Sequence, residues 1–463
     1  MNKLLAFTIP LVLLAGCNSQ GTIKTPENAE ELLIADIKRS DSLAKSSIAF
    51  KLDEIPAGIR YPELRMVDKA NPPVTLNIPA SQGTVKPLAL SALFKSVRYM
   101  VLDYGKDSAL CDSYSQVIPV GDGYITTSIF SLCYFDSKGK LMKVIGKNEA
   151  GLIPVPNGIA FSTEEIIGVL PNASVKGDKV VYVTVDIPKK LSMVKIFDIK
   201  SMKTTLSAPR KISNFMNFMR LSPTLVTDSS WIEYSGSICP ISKYTFCLYG
   251  MKGDTLTLFK NSIKGVATKR GNITDPDSWF RYEFNNQLTI RQPYCDTVFR
   301  FQYPNTLKPC FVLNFGKEMI DIESAIMCKT EGKYIPSFWF ETSNAIVMGY
   351  SKNNDCPNNR KANKVKFYYA AYNKATQSLF HITMPAKYPE DSYISNDIDG
   401  GIPLNLGDVR VNNGKGIVLL SRAQLTEIAT NETTRYLPKA NRDAASTRAS
   451  KLRSGQKLVV IYE

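Results

Sequence analysis

The chain has a single histidine, His381, in the run Leu379-Phe380-His381-Ile382. That limits the chemistry at once. Zinc and related metals take several nitrogen or sulfur ligands in one site, and a serine triad would have to recruit this one imidazole. No Gly-x-Ser-x-Gly stands before a helix-like stretch. In an apolar run His381 reads as a strand residue with a local hydrogen bond. Asp397-Ile398-Asp399-Gly400-Gly401 offers two carboxylates and a glycine turn, the donors a hard cation prefers. The rest of an EF-hand spacing is missing, so the segment is read as a structural turn. Catalysis by a carboxylate pair would need no histidine, but no pair stands out. The sequence nominates no catalytic, metal or cofactor residue.

Eight cysteines follow Cys17 and none forms a Cys-x-x-Cys pair. Cys133, Cys247 and Cys310 sit in apolar runs, as small buried hydrophobes do. Cys239 and Cys247 are close enough in sequence to bridge adjoining strands in an oxidising compartment. Asn172, Asn272 and Asn431 match the glycosylation acceptor pattern and are read as chance. Lysine and arginine number 57 against 42 acids, giving a net charge of +15. The basic residues thicken at Arg360, Lys361, Lys364 and Lys366, and again over 435–457; both read as solvated faces. Phe338-Trp339-Phe340 and Tyr368-Tyr369 read as packing between sheets.

The elements that carry these residues are strands. Residues 117–146 form a meander: 118–120, a Gly121-Asp122-Gly123 turn, 124–128, 132–135, an Asp136-Ser137-Lys138-Gly139 turn, and 140–145. Each segment is short, aromatic or β-branched, and bounded by turn residues. The pattern returns. Phe197-Asp198-Ile199-Lys200 echoes Phe135-Asp136-Ser137-Lys138, and turns recur near 137, 199, 251, 305 and 374. Intervals of roughly 50–70 residues are those of a propeller blade. The count is five and a half units. The expected fold is therefore all-β: a six-bladed β-propeller over 88–463, closed by pairing the strand at 97–102 with the C-terminal strand at 457–462. A helical insertion is expected across 423–453. A β-sandwich with a second β-domain is the competing architecture.

The N-terminus is expected to lie outside that ring. Lys3, the apolar run 4–14 and Leu14-Ala15-Gly16-Cys17 resemble the lipobox of bacterial lipoproteins. This implies a signal peptide over 1–16 and lipid attachment at Cys17. Residues 17–87 read as a tether, a short helix over 27–46 and an irregular, proline-rich lead-in.

Several stretches then resemble the six-bladed β-propeller lipoproteins abundant in Bacteroidetes, a family without an established activity. They are Val97-Arg98-Tyr99-Met100-Val101-Leu102, Tyr134-Phe135-Asp136-Ser137-Lys138-Gly139-Lys140, Tyr294-Cys295-Asp296-Thr297-Val298-Phe299, Phe311-Val312-Leu313-Asn314-Phe315-Gly316 and Asn396-Asp397-Ile398-Asp399-Gly400-Gly401-Ile402-Pro403. The glycine-rich stretch usual after the first turn is only partly present at 146–151. The resemblance implies a protein of the bacterial outer membrane, held there by its N-terminal lipid anchor. No acid follows Cys17 in Asn18-Ser19-Gln20-Gly21, which points to the periplasmic face rather than the cell surface.

The expected role is a ligand- or protein-binding module without a cofactor. Its partners would be an anionic glycan or an envelope protein, and not nucleic acid. A glycan hydrolase or lyase using carboxylates at the central channel, and a structural subunit of an envelope complex, are the alternatives.

Overall fold

The computed structural model of the protein describes residues 55, 57–62, 64, 69–79, 83–110, 116–128, 131–147, 152–155, 158–161, 167–169, 173–186, 191–206, 210–211, 223–234, 243–263, 280–326, 331–354, 364–384 and 392–463. The segment 1–16, Cys17 and the helix expected over 27–46 lie outside them. So do Asn172, Asn272, Arg360, Lys361, Cys111, Cys239, Cys328, Cys356 and 148–151.

Six antiparallel sheets follow one another as the blades of a propeller. Blade 1 runs from the axis outward through Gln116–Val120, Gly123–Thr127, Ser131–Phe135 and Leu141–Lys147. Blade 2 has Ser174–Lys176, Lys179–Asp186, Leu191–Asp198 and Lys203–Leu206, and blade 3 has Thr224–Thr227, Ser230–Tyr234, Tyr244–Gly250 and Thr255–Lys260. Phe280–Phe284, Gln287–Arg291, Thr297–Gln302 and Thr306–Asn314 make blade 4, and Tyr334–Glu341, Ala345–Lys352, Lys366–Asn373 and Ser378–Ile382 make blade 5. Blade 6 joins both ends of the chain. Arg410–Asn412, Lys415–Leu420 and Gln456–Tyr462 come from the C-terminal part, and Val97–Asp103 supplies the outermost strand. Val97 pairs with Tyr462 and Asp103 with Gln456, so the expected closure is the observed one.

Period-two alternation explains why the sheets form a ring. Ile417 and Leu419 pack on blade 1, whereas Val418 and Leu420 pack on blade 5. A strand buried on both faces needs apolar residues at successive positions, and each blade is such a double-sided sheet. The result is one apolar cluster for every neighbouring pair of blades, including the pair that closes the ring. The outer turns are fixed by side chains. Asp136 Oδ1 accepts the Lys138 and Lys140 amides at 2.9 Å, Asp198 Oδ1 accepts Ser201 N at 2.8 Å, and Asn373 Oδ1 accepts Thr376 N at 3.0 Å.

The segment before blade 6 runs along the rim. Arg60 bridges to Thr257 of blade 3, Val74–Asn77 pairs in parallel with Thr306–Asn314 of blade 4, and Val85–Lys86 pairs in parallel with Ser378–Ile382 of blade 5. After Val97–Asp103 the chain touches blade 1, where Asp103 N donates to Gly139 O at 2.9 Å. Three outer edges that would otherwise present unpaired backbone groups are thereby covered. The expected insertion is two helices, Arg422–Thr430 and Lys439–Lys451, which bury Leu425, Ile428, Ala445 and Ala449 under blades 5 and 6. Among the described residues no helix is long and apolar enough to cross a membrane.

Candidate functional site

Two places that the sequence singles out prove to be structural. His381 is buried in blade 5, with Nε2 against the Tyr350 hydroxyl and its backbone N–H on Thr84 O. Asp397 holds the backbone and hydroxyl of Ser91. Asp399 Oδ1 accepts Asn396 Nδ2 at 2.7 Å, Gly401 N at 2.9 Å and Tyr99 Oη at 3.2 Å. Those carboxylates organise the turn at Gly400, where φ is +67°. The basic helical region is largely engaged as well. Lys439 pairs with Asp443, Arg435 with Glu432 and Arg453 with Asp103, while Arg448 lies over the Tyr99 ring at 3.4 Å. Asn431 caps a turn through Thr433 N at 2.9 Å.

The central channel is different. Among the six inner strands around it, those of blades 2, 4, 5 and 6 carry charged residues, Lys176, Arg281, Glu283, Glu341 and Arg410 among them, whereas Gln116–Val120 and Thr224–Thr227 carry none. Glu283 of blade 4 is 3.1 Å from Lys176 of blade 2. Asn413 of blade 6 donates its backbone N–H to Glu283 O at 2.7 Å and accepts Asn286 N on Oδ1 at 2.9 Å. Lys179 Nζ donates to Asp228 O at 3.2 Å. Inner hairpin turns of blades 4 and 6, and of blades 2 and 3, therefore hold one another.

The carboxylates of Glu341 and Glu233 are engaged. Glu341 is 2% exposed; Arg300 reaches both of its oxygens at 3.0 and 2.8 Å and Lys374 one at 2.8 Å. The Tyr282 hydroxyl donates to Glu341 at 2.8 Å and accepts the Trp339 indole N–H at 2.9 Å. Phe284 lies between the Arg300 and Lys374 cations, at 5.5 and 3.9 Å. Glu233, buried in blade 3, accepts the Trp231 indole at 2.8 Å.

Two arginines stand on these inner strands. Arg281 is on the inner strand of blade 4 and Arg410 on that of blade 6, each a few residues before its hairpin turn. Burial first, and then the charge of Arg410, push the Arg281 guanidinium down to about 10, with Glu233 acting against both. Burial also pushes Arg410 down, although its side chain remains exposed to water. Arg410 makes no hydrogen bond or ion pair with any described residue. Thr224, on the inner strand of blade 3, is 4% exposed and its hydroxyl has no hydrogen-bond partner among the described residues.

None of these three stands out in the sequence. The signal lay in two hairpins of one form, Arg281-Tyr282-Glu283-Phe284-Asn285-Asn286 and Arg410-Val411-Asn412-Asn413-Gly414, each with arginine ahead of an asparagine turn.

Among known proteins, a family model described as "Domain of unknown function (DUF4933)" matches residues 56–431. No curated protein matches the chain. In structure, the chain is similar to a member of the DUF4221 family from Bacteroides vulgatus, with 8% identity and a TM-score of 0.41, covering 80% of this chain and 98% of that one. It is also similar to the β-propeller domain of the Trilobed protease from Pyrococcus furiosus, at 9% identity and a TM-score of 0.31, with coverages of 67% and 79%. Virginiamycin B lyase from Staphylococcus aureus gives 10% identity, a TM-score of 0.32 and coverages of 63% and 75%.

Proposed function

The chain belongs to the family described as Domain of unknown function (DUF4933), and for it we propose a binding role at the propeller channel. In this reading the protein is a lipoprotein of the bacterial outer membrane, anchored through Cys17 on the periplasmic face. It captures a ligand or an envelope protein without transforming it. The observation that carries the reading is the state of the charges. The carboxylates Glu233, Glu283 and Glu341 are each held by a donor, while Arg410, on the inner strand of blade 6, makes no side-chain hydrogen bond or ion pair with any described residue and has the Asp408 carboxylate acting on it. A cation without a hydrogen-bonded acid attracts an anionic ligand.

The test is an array of carboxylated, sulfated and neutral glycans probed with the full-length protein in detergent, with crosslinking in intact cells alongside. Retention of one class of glycan, or of one envelope protein, with no new chain ends supports the role. Release of new reducing or unsaturated ends would replace it with a hydrolase or lyase. Neither retention nor turnover would remove it. Placement is tested separately: prompt loss of the protein on protease shaving of intact cells would refute the periplasmic face.

A further inference from the structure

We infer that the outer edge of blade 2 is a docking site for the chain's own residues 48–52, with Leu52 closing the cleft between blades 2 and 3.

The rim segment has a period. Leu64 is buried between blades 3 and 4, Leu76 between blades 4 and 5, and Leu88 between blades 5 and 6. Met100 packs against the cluster between blades 6 and 1. These four stand twelve residues apart, one for each step around the ring. Similar blades set similar distances along the rim, so a chain that follows it delivers an apolar side chain at a constant interval. The first three plugs lie within or just after a stretch bonded to the outer strand of the earlier blade. On blade 3, Leu258 N donates to Arg60 O at 2.9 Å and Lys260 N to Pro62 O at 3.0 Å. Val74–Asn77 pairs on blade 4 and Val85–Lys86 on blade 5.

One interval earlier stands Leu52, in Ile48-Ala49-Phe50-Lys51-Leu52. Its alternation is that of Val74-Thr75-Leu76-Asn77-Ile78, with an apolar side chain at every second position, as a strand with one buried face requires. Residues 48–52 lie outside the described residues, but the surface they would meet lies within them. Lys203–Leu206, the outer strand of blade 2, has no further strand on its outer side among the described residues, and Lys203, Thr204 and Thr205 are exposed. In the cleft beside it, Val194 and Ile196 of blade 2 meet Leu225 and Trp231 of blade 3. Tyr249 and Met251, toward the outside of blade 3, are only partly buried. Among the described residues this cluster has no member from the rim, whereas the clusters of the next four clefts each have one.

The occupant is set by the path. The chain reaches blade 3 at Arg60, eight residues after Leu52 and at most about 28 Å of extended backbone. A strand tethered that closely has an effective concentration on the order of millimolar, an advantage over any separate protein. The interval before Leu52 falls on Ser40, a polar residue, so the series ends at blade 2. With the anchor at Cys17 proposed above, the ring then hangs from the membrane by the side of blades 2 and 3, on residues 18–47.

Photocrosslinking of the full-length protein in detergent tests the contact, with p-benzoylphenylalanine in place of Phe50, an aromatic for an aromatic. Crosslinks within one chain to 203–206 or 249–251, located by mass spectrometry, are expected. Crosslinks to another part of the ring, between two chains, or none at all overturn the inference. Hydrogen exchange is the second measurement. In the wild-type protein the amides of Lys203–Leu206 should exchange about tenfold or more slowly than in Leu52→Asp, a local loss that leaves blades 4 to 6 unchanged. Lys51→Asp, on the opposite face of the same strand, should match the wild type. Equal exchange in the wild type and Leu52→Asp also overturns the inference. If Leu52→Asp loses protection throughout the ring, the crosslinks alone decide. Neither measurement reads a ligand, so the outcome is independent of the binding role.

Discussion

Arg98 grips both carboxylate oxygens of Glu463, at 2.9 and 3.1 Å, across 365 residues of sequence. Lys415 reaches Oε1 of the same carboxylate at 2.9 Å. Three strands of blade 6 are tied together by this one group, at the seam where the ends of the ring meet. The Arg98 bond, then the Lys415 bond, pull the Glu463 carboxyl from its ordinary 4.5 to about 2. A folded-state value below the unfolded one means stability present above about pH 4.5 and lost as the pH falls toward 2. Water screens the exposed Arg98 and Lys415, so the contribution is about 1 kcal/mol. Unfolding temperature measured from pH 7 down to 2 should show the loss. Glu463→Gln should be less stable at pH 7 and flatter across that window.

A buried charge network between blades 4 and 5 should respond more strongly. Glu341→Ala leaves Arg300 and Lys374 without their carboxylate and Tyr282 without its acceptor. Removal of one partner from such a buried set costs about 3–5 kcal/mol. The midpoint of urea unfolding should fall accordingly. Glu341→Gln, which still accepts from Tyr282, should fall less; equal losses would show that charge plays no part.

Gly139 should not tolerate a side chain. Its φ is +80°, and a Cβ would collide with the Val101 carbonyl of blade 6. Gly139→Ala combines left-handed backbone strain, about 1 kcal/mol or more, with that collision. It also disturbs the Asp103 N to Gly139 O bond that joins blades 6 and 1. A drop in unfolding temperature is expected, whereas Gly177→Ala, with φ +56° and open space around it, should carry the strain alone.

Thiol chemistry offers a further check. Burial pushes Cys295 up to about 11 and Cys310 up to about 12. Thiolates are the reactive form, so both should resist maleimide at neutral pH in the folded protein and react once urea unfolds it. Mass spectrometry of the peptides reads this directly, and prompt labelling of either in the native state would contradict their placement.

The outer parts of the blades were legible in the sequence because their turns depend on local side chains. Asp136, Asp198 and Asn373 each bond to backbone within four residues, and such turns can be read wherever they occur. The latch was legible because Val97–Asp103 is a clean strand with no neighbours of its own. The inner strands were not. Ser174–Lys176, Thr224–Thr227 and Phe280–Phe284 are short and interrupted by polar or charged residues, since they line a channel instead of a core. The candidate site thus sits where the strand signal is weakest. Arg281 and Arg410 meet only through ring closure, which no local pattern records. The parallel pairing of the rim strand Val74–Asn77 with Thr306–Asn314 was not legible either, because a parallel contact over that distance has no turn to announce it.

The path around the rim also dictates an order of events. Residues 60–103 are made early, yet their partners lie in blades 3 to 6 and include the last strand of the chain, Gln456–Tyr462. Contacts of such sequence separation form slowly, because long loops must close before they are rewarded. During synthesis the early segment must wait, unpaired, while blade after blade accumulates behind it. The final strand then completes blade 6, and with it the wall that holds Arg410. Ring closure therefore comes last, and a chain cut short before Gln456 would lack the strand that joins Lys415–Leu420 to Val97–Asp103.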